Sequence, residues 1–313
     1  MQPAGTAIRA DRLVLVTTPM PWPKPATAHP WLAPLAAALE AAPDDAPRTR
    51  LLAVAPGGAP RSAQTAASNR VEVRVYERVV TGEVQQHSGT VAVDELDALA
   101  IELVNGNGPL LTSDEVQPVL LVCTQGSHDV CCGSLGTSLV AELEDTASDW
   151  GQPTHRGQME ILRASHVGGH KFAPTALSLP DGRMWAYLDE ALTREIMDHP
   201  TPIPSAALAE RNRGWWGAEA GPAQVAEAAV FASQGWEIDN QKRSVSVIPA
   251  EATASPTPAY LCTVHAGSHQ WEVDVVVSRY VPTVSCRVLG GQPAKVAAEY
   301  AVLGVRRSSE AKS

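Results

Sequence analysis

Short apolar runs separated by polar stretches predict several buried strands in the first half of the chain. Leu13–Val16, Leu51–Val54 and Val119–Val122 are continuous apolar runs, a pattern typical of strands that are covered on both faces. Residues 71–75 (VEVRV) instead alternate between valine and a charged residue, which predicts one buried and one wet face. Two amphipathic helices are predicted between the strands by apolar residues at helical spacing, namely Trp31, Leu32, Leu35 and Leu39, and Leu96, Leu99 and Leu103.

A second series of elements is predicted after residue 123. Residues 135–143 predict a helix, and Met159–Leu162 predict a further strand. Two more strands, at Thr175–Leu179 and Met184–Leu188, flank the sequence Pro-Asp-Gly, in which proline presets φ while aspartate and glycine suit the turn. This alternation of strands and helices, followed by a hairpin, indicates an α/β domain.

A run of prolines divides the chain into two regions. His199–Pro204 (HPTPIP) suits neither a regular helix nor a central strand. We therefore expect a first region at residues 1–198, a Pro-rich linker at 199–213 and a small α+β domain at 214–313. The last region contains a predicted helix at residues 222–235 and predicted strands at Val245–Val247, Tyr260–Val264 and Trp271–Val275. No internal repeat is evident in the sequence.

Charge and hydropathy exclude two classes of partner. The 313 residues include 24 basic and 34 acidic side chains, which give a net charge of −10. No run of Lys or Arg forms a locally basic segment. Such a surface repels phosphate backbones, so we expect no nucleic-acid partner. No apolar run approaches the roughly 18 residues of a membrane span, and the start lacks the apolar core of a signal peptide, so we expect no membrane partner and a cytoplasmic location.

Two loops that follow predicted strands contain the candidate chemistry. Residues 123–134 (CTQGSHDVCCGS) hold three of the five cysteines, and residues 166–170 (HVGGH) hold two histidines. Clustered cysteines in a reducing compartment favour metal binding or redox chemistry over disulfides. Open α/β sheets bind ligands at strand ends, and a helix N-terminus favours the thiolate form of a nearby cysteine. Two sulfurs and two imidazoles from these loops can therefore form a soft four-ligand metal site.

The spacing of these residues argues against three common metal sites. Zinc-finger cysteines are usually two to four residues apart, whereas eight residues separate Cys123 from Cys132. The HVGGH loop lacks the glutamate of the HExxH motif of zinc proteases. A Rieske centre takes one cysteine and one histidine from each arm, but here the cysteines share one loop and the histidines the other.

The two loops and the hairpin together resemble the sucrase/ferredoxin-like family. The segments CTQGSHDVCCG, HVGGHKFA and the Pro-Asp-Gly hairpin carry the resemblance, and the opening AGTA and PWP segments extend it over about residues 4–190. The resemblance implies an α/β fold with one or more thioredoxin-like ferredoxin domains, followed here by the small α+β domain. It also implies a bound [2Fe-2S] cluster, whose ligands, carried over residue by residue, would be Cys123, Cys132, His166 and His170.

Other residues of the two loops receive different expected roles. Cys131 is expected to be a non-ligand, because relatives often have another residue immediately before the second cysteine ligand. Asp129 is expected to accept hydrogen bonds within the loop or at the helix start. The backbone N–H groups of Gly133, Gly168 and Gly169 are candidate donors to the cluster sulfides, although simple turn formation explains these glycines equally well.

The resemblance implies one-electron transfer or redox sensing with a redox partner protein, and an electron carrier rather than a catalyst. The spacing of the acidic residues indicates no carboxylate pair for glycoside hydrolysis, so no sucrase activity is expected. Two thiolates and two neutral imidazoles would leave the oxidised cluster uncharged, which predicts a potential above that of an all-cysteine ferredoxin. Because the distal imidazole nitrogens can release protons when the iron is ferric, electron uptake is expected to couple to proton uptake.

Two alternatives remain open at this point. The same four ligands can bind a structural zinc ion, and a thioredoxin-like thiol oxidoreductase can use Cys131 or Cys132 as its nucleophile. A second set of ligand-type residues lies in the C-terminal region, but an odd spacing along a predicted strand puts Cys262 and His265 on opposite faces, so no metal is expected there. Packing roles are expected for Trp215, Trp216 and Trp236.

Overall fold

Two β-sheets organise the chain. The computed structural model describes residues 1–55, 69–79, 82–105, 109–146, 159–250, 257–283 and 295–308. Within these ranges, ten strands form one mixed sheet with helices, and four strands near the C-terminus form a separate antiparallel sheet. The expected α/β class is therefore confirmed.

The first part of the large sheet is a parallel strand pair followed by an antiparallel pair. Its elements are β1 (Arg12–Thr17), α1 (Ala33–Glu40), β2 (Thr49–Val54), β3 (Arg70–Arg78), β4 (Val84–Ala92), α2 (Leu96–Asn105) and β5 (Thr112–Asp114). The alternation expected of β3 is confirmed, since Val71, Val73 and Val75 are buried. Helix α2 buries leucines three and four residues apart, so the same apolar stripe that predicted it attaches it to the sheet.

The second part of the sheet repeats this order. Its elements are β6 (Val119–Cys123), α3 (Thr137–Thr146), β7 (Glu160–Ala164), β8 (Ala176–Leu179), β9 (Arg183–Trp185) and α4 (Glu190–Asp198). Strands β6 and β7 are parallel, and β8 and β9 form the predicted hairpin. Every residue of β6 is buried, as expected for a continuous apolar run covered on both faces.

The expected linker at residues 199–213 contains regular structure instead. Its chain forms the short helix α5 (Ala206–Ala209) and then enters β10 (Asn212–Trp215), which pairs antiparallel with β9. Only the proline-rich stretch before α5 lacks regular structure, and Ser205 caps α5 by accepting a hydrogen bond from the Leu208 N–H. The segment is therefore an edge of the large sheet, while the division of the chain into two domains stays a prediction.

The strand order of the large sheet reveals a topological repeat. The order is β10-β9-β8-β6-β7-β2-β1-β3-β4-β5. In each part the first strand lies between its parallel partner and the hairpin, as β7-β6-β8-β9 and as β2-β1-β3-β4. This is the arrangement expected of a thioredoxin-like unit. The two units join edge to edge where β2 pairs with β7 at Val54 and Ala164.

The C-terminal region packs a helix against an antiparallel sheet. Its elements are α6 (Pro222–Gln234), a 3-10 helix (Gly235–Asn240), β11 (Arg243–Pro249), β12 (Ala259–Ala266), β13 (His269–Thr283) and β14 (Lys295–Arg307). The predicted helix and three predicted strands are confirmed, and β14 is a further strand. Helix α6 contacts both β10 of the large sheet and β12 of the small one. The three tryptophans expected to pack are buried, namely Trp215, Trp216 and Trp236.

A buried network of charges also ties the two sheets together. Arg183 on β9 donates two hydrogen bonds to Glu227 on α6, at 3.0 and 2.9 Å, and also contacts Asp239. Arg243 on β11 donates to the same Glu227 at 2.7 Å. Each of these charges therefore has an opposite charge in contact, which is the condition under which buried ions are tolerated.

Candidate metal centre

The two ligand-rich loops meet because their strands are parallel neighbours. Cys123 is the last residue of β6 and pairs in register with Ala164, the last residue of β7. Thr124 extends the pairing by donating its N–H to the Ala164 carbonyl at 3.0 Å. Since parallel strands end at the same sheet edge, the loop after Cys123 and the HVGGH loop leave the sheet side by side.

Close glycine contacts return the second implied ligand of the cysteine loop, Cys132, to the end of β6. Cys132 begins a π-helical turn, Cys132–Gly136, which continues into α3. A Cβ on Gly136 would lie 2.0 Å from the Cys123 carbonyl oxygen, and one on Gly133 would lie 2.4 Å from Gly126 Cα. Asp129 steadies the turn, as expected, because its Oδ1 accepts the Cys131 N–H at 3.0 Å. The π-turn begins three residues before the predicted start of the helix at residue 135, and such turns are frequent at functional sites.

Three donor atoms converge at this point. The Cys123 and Cys132 sulfurs and a ring nitrogen of His166 all lie within 4.8 Å of one another. The Cys123 sulfur and His166 Nδ1 are 3.9 Å apart. Both cysteines are buried and neither forms a disulfide. The structure therefore brings together three of the four residues that the family resemblance implies as ligands.

The fourth implied ligand, His170, belongs to a histidine cluster that also contains His128. Ring nitrogens of His128, His166 and His170 lie within 4.8 Å of one another. His128 stacks on His166, with ring centroids 3.7 Å apart and planes inclined by 13°. The sequence offered no reason to assign His128 a role, because a single histidine in a polar loop forms no recognisable ligand spacing with its neighbours. All three rings are half-buried, so this side of the centre faces the surface.

Two left-handed glycines shape the HVGGH loop. Gly168 has φ of 88° and Gly169 has φ of 72°, values that favour glycine. A Cβ on Gly168 would lie 2.8 Å from Ile8 Cδ1, and one on Gly169 would lie 2.5 Å from the Arg213 guanidinium carbon. The glycines therefore let the N-terminal segment and β10 pack directly beneath the loop.

Further hydrogen bonds fix the position of His166. The His166 N–H donates to Gln125 Oε1 at 2.9 Å, and the His166 carbonyl accepts from Arg50 Nη2 at 3.0 Å. Gln125 itself is held by the proline-rich segment, because its Nε2 donates to the Pro23 carbonyl. The PWP segment of the family resemblance thus reaches the metal centre through Gln125.

Negative charge in the candidate centre is concentrated on one of the two sulfurs. A hydrogen bond from the Cys132 thiol holds the pKa of Cys123 well below its usual value, in spite of burial, and His166 acts in the same direction. The same contact, together with burial, raises the pKa of Cys132. Burial lowers the pKa of His170 and lowers the pKa of His128 to about 4. Both lowered pKa values favour the neutral imidazole of His128 and His170 at pH 7, which is the form that binds metal ions.

The three candidate glycine donors differ in their present contacts. The Gly133 N–H already donates to the Asp129 carbonyl at 3.1 Å, so it is engaged in forming the turn. The N–H groups of Gly168 and Gly169 make no hydrogen bond to the described residues. Of the predicted backbone donors, Gly168 and Gly169 therefore remain the candidates.

The other predicted cysteine positions lie outside the converging groups. Among the described residues, Cys131 is half-buried and belongs to neither group of converging donors. In the C-terminal sheet, Cys262 is buried and His265 lies on the opposite face of β12, as predicted. Cys286 falls outside the described residues. In the part of the chain that the structure describes, no helix is long and apolar enough to cross a membrane.

The donor set fits the cluster that the family resemblance implies. Two free thiols approach from one loop and imidazoles from the other, so Cys123, Cys132, His166 and His170 are the residues that would hold such a cluster. The same compact group of two sulfurs and one nitrogen also suits a single zinc ion.

A comparison with known protein families supplies the class of protein. Residues 3–214 match the sucrase/ferredoxin-like family. Because the match covers more than half of the chain, the protein belongs to this family. The matched range includes both loops, both thioredoxin-like units and nearly all of β10. No curated protein and no solved structure matches the chain.

Proposed function

We propose that this protein binds a [2Fe-2S] cluster through Cys123, Cys132, His166 and His170 and acts as a one-electron carrier or redox sensor. The observation that carries the proposal is the convergence of two free thiols and a histidine at the ends of two parallel strands, beside further histidines. Membership of a family described as ferredoxin-like supports the same conclusion. When bound, the cluster would supply a site that accepts and releases a single electron.

The two cysteines and the two histidines would have different roles in the proposed function. Cys123 and Cys132 are buried, so they would hold their side of the cluster away from solvent. His166 and His170 are half-buried, so they would form the side that a redox partner protein approaches. Their distal nitrogens can exchange protons with water there, and electron uptake would accordingly be accompanied by proton uptake. A reduction potential that does not change with pH across the imidazole titration range would contradict this coupling.

The test of the proposal is the metal and sulfide content of protein purified without oxygen. We expect two irons and two acid-labile sulfides per chain, together with visible absorption. Cys123→Ser and Cys132→Ser should lose most of the iron and the colour. Cys131→Ser is the matched control and should retain both. Colourless wild-type protein without iron or sulfide would overturn the proposal, and loss of function in Cys131→Ser with the cluster intact would favour a thiol oxidoreductase.

A structural zinc site is the second candidate, and one observation favours it. The two sulfurs and the His166 nitrogen lie within 4.8 Å of one another, as the ligands of one tetrahedral ion do. One zinc per chain in colourless protein, with unfolding on chelation, would support this alternative. The same metal analysis therefore decides between the two candidates.

A further inference from the structure

Arg213 on β10 lies beneath the HVGGH loop and is fully buried. Its Nη1 donates to the Gly168 carbonyl at 3.0 Å, and its Nε donates to Thr6 Oγ1 at 3.2 Å. Nη2 donates to the Thr6 carbonyl at 2.5 Å. The guanidinium also faces the Phe172 ring, 5.6 Å from its centroid. Every one of these partners is electrically neutral.

The other buried arginines are different, because each has a carboxylate partner. Arg12 pairs with Glu77 at 2.9 Å, and both Arg183 and Arg243 pair with Glu227. Within the described residues, Arg213 forms no salt bridge with a carboxylate.

A buried guanidinium without a carboxylate needs another source of negative charge nearby. The burial of Arg213 lowers its pKa to about 10, so the side chain still carries its charge at pH 7. Two thiolates are the ligands that a metal centre here would use, and Arg213 is bonded through the Gly168 carbonyl to the loop that carries His166 and His170. Because Arg213 is bonded to the loop that would hold two of the ligands, this cation can act on the charge of the centre as well as on the packing of the loop.

We propose that Arg213 is a positioning residue that fixes the HVGGH loop through the Gly168 carbonyl and stabilises the reduced state of the centre by its positive charge. This inference rests on the proposed [2Fe-2S] function. At a pH where no proton accompanies it, an added electron makes the centre more negative by one charge. Attraction to a buried cation in a medium of low dielectric constant is then stronger in the reduced state than in the oxidised state. Arg213 should therefore raise the reduction potential.

The test is a redox titration, followed by visible absorption or electron spin resonance, of wild type, Arg213→Lys and Arg213→Gln. Iron and sulfide per chain are measured on the same samples. We expect Arg213→Gln to make reduction at least tenfold less favourable, which for one electron is a fall of 59 mV. Arg213→Lys keeps the charge and should retain most of the wild-type potential. If Arg213 had a purely structural role, the two variants would change the iron and sulfide content, and the reduction potential would not depend on the charge at position 213.

A second pair of variants tests the charge with Arg213 in place. Thr6→Asp would put a carboxylate beside the Arg213 Nε and neutralise the guanidinium, while Thr6→Asn is the uncharged control of the same size. We expect Thr6→Asp to lower the potential relative to Thr6→Asn. Fully loaded Arg213→Gln and Thr6→Asp proteins with the wild-type potential would overturn this inference alone. Wild type without iron and sulfide would overturn the proposed function and, with it, this inference.

Discussion

His128 lies flat against His166, with 3.7 Å between the ring centroids, so an implied ligand is covered by a histidine from the cysteine loop. This contact joins the two loops on the half-buried side of the metal centre. The ring nitrogens of His128 and His170 both lie within 4.8 Å of a ring nitrogen of His166, so either residue is close enough to bind the same metal as His166. The family resemblance implies that His170 is the ligand. In that case His128 would shield the His166 ring by stacking on it and would not bind the metal.

We therefore expect His128→Phe and His170→Ala to behave differently. Phenylalanine preserves a flat ring that can stack on His166, so His128→Phe should retain iron, sulfide and visible absorption. His170→Ala removes an implied ligand and should lose most of all three. Metal analysis of both variants, purified without oxygen, checks the prediction. The opposite pattern would make His128 the ligand and His170 the neighbouring residue.

The meeting of the two loops was largely predictable, because it depends on two neighbouring strands that the sequence shows. The apolar run of β6 ends at Cys123, and the strand before His166 is visible in the same way, so the meeting of the two loops follows from a parallel pair. His128 and Arg213 were missed for a different reason. Nothing in their sequence neighbourhood shows that one would stack on His166 and that the other would reach Gly168 from a distant edge strand.

The sequence also failed to indicate the repeated topology and the strand within the expected linker. The two thioredoxin-like units share their order of elements, whereas their loops and residues differ, so no internal repeat was evident. The strand β10 is only four residues long, begins with polar residues and follows a run of prolines. Its position depends on pairing with β9, a tertiary contact that short-range patterns do not report.

Replacing Gly136 should disturb the packing of α3 against the end of β6. A Cβ at this position would lie 2.0 Å from the backbone oxygen of Cys123, which cannot move without moving this implied ligand. We expect Gly136→Ala to lower the free energy of unfolding by about 1–3 kcal/mol, the usual cost of overpacking, and to reduce the iron content. Ser134→Ala, at an exposed position in the same turn, is the control. Denaturant unfolding that leaves Gly136→Ala equal to Ser134→Ala would contradict the close contact.

Glu227 should be the most sensitive carboxylate of the buried network. Glu227→Gln would leave the buried Arg183 and Arg243 to share Asp239, so that two positive charges face one negative charge, and breaking such a network costs about 3–5 kcal/mol. The exposed Glu237→Gln is the matched control, with an expected change within about 0.5 kcal/mol. Denaturant unfolding at pH 7 measures both. Equal stability of the two variants would contradict a structural role for the network.

The pH dependence of this contribution has a defined sign. Burial alone would raise the pKa of Glu227, but its contacts with Arg183 and Arg243 hold that pKa below its usual value. Stability supplied by Glu227 is therefore fully present above about pH 4.5, the pKa of an unperturbed glutamate, and is lost as the pH falls through the folded-state pKa. The destabilisation by Glu227→Gln should accordingly shrink in strongly acidic solution. A destabilisation that stays constant as the pH falls would contradict this assignment.

Asp181 in the β8–β9 turn should produce the opposite pH dependence. Burial, and secondarily the charge of Asp239, raise the pKa of Asp181 to about 6. Between about pH 4 and 6 the folded protein then binds a proton that the unfolded chain has released, so stability falls as the pH rises through this window. Asp181→Asn removes the titration, and its free energy of unfolding relative to wild type should rise by about 3 kcal/mol from pH 3.5 to 7. Asp198→Asn, at an exposed position, is the control. Parallel stability profiles for wild type and Asp181→Asn would show that the folded protein ionises Asp181 as readily as the unfolded chain does.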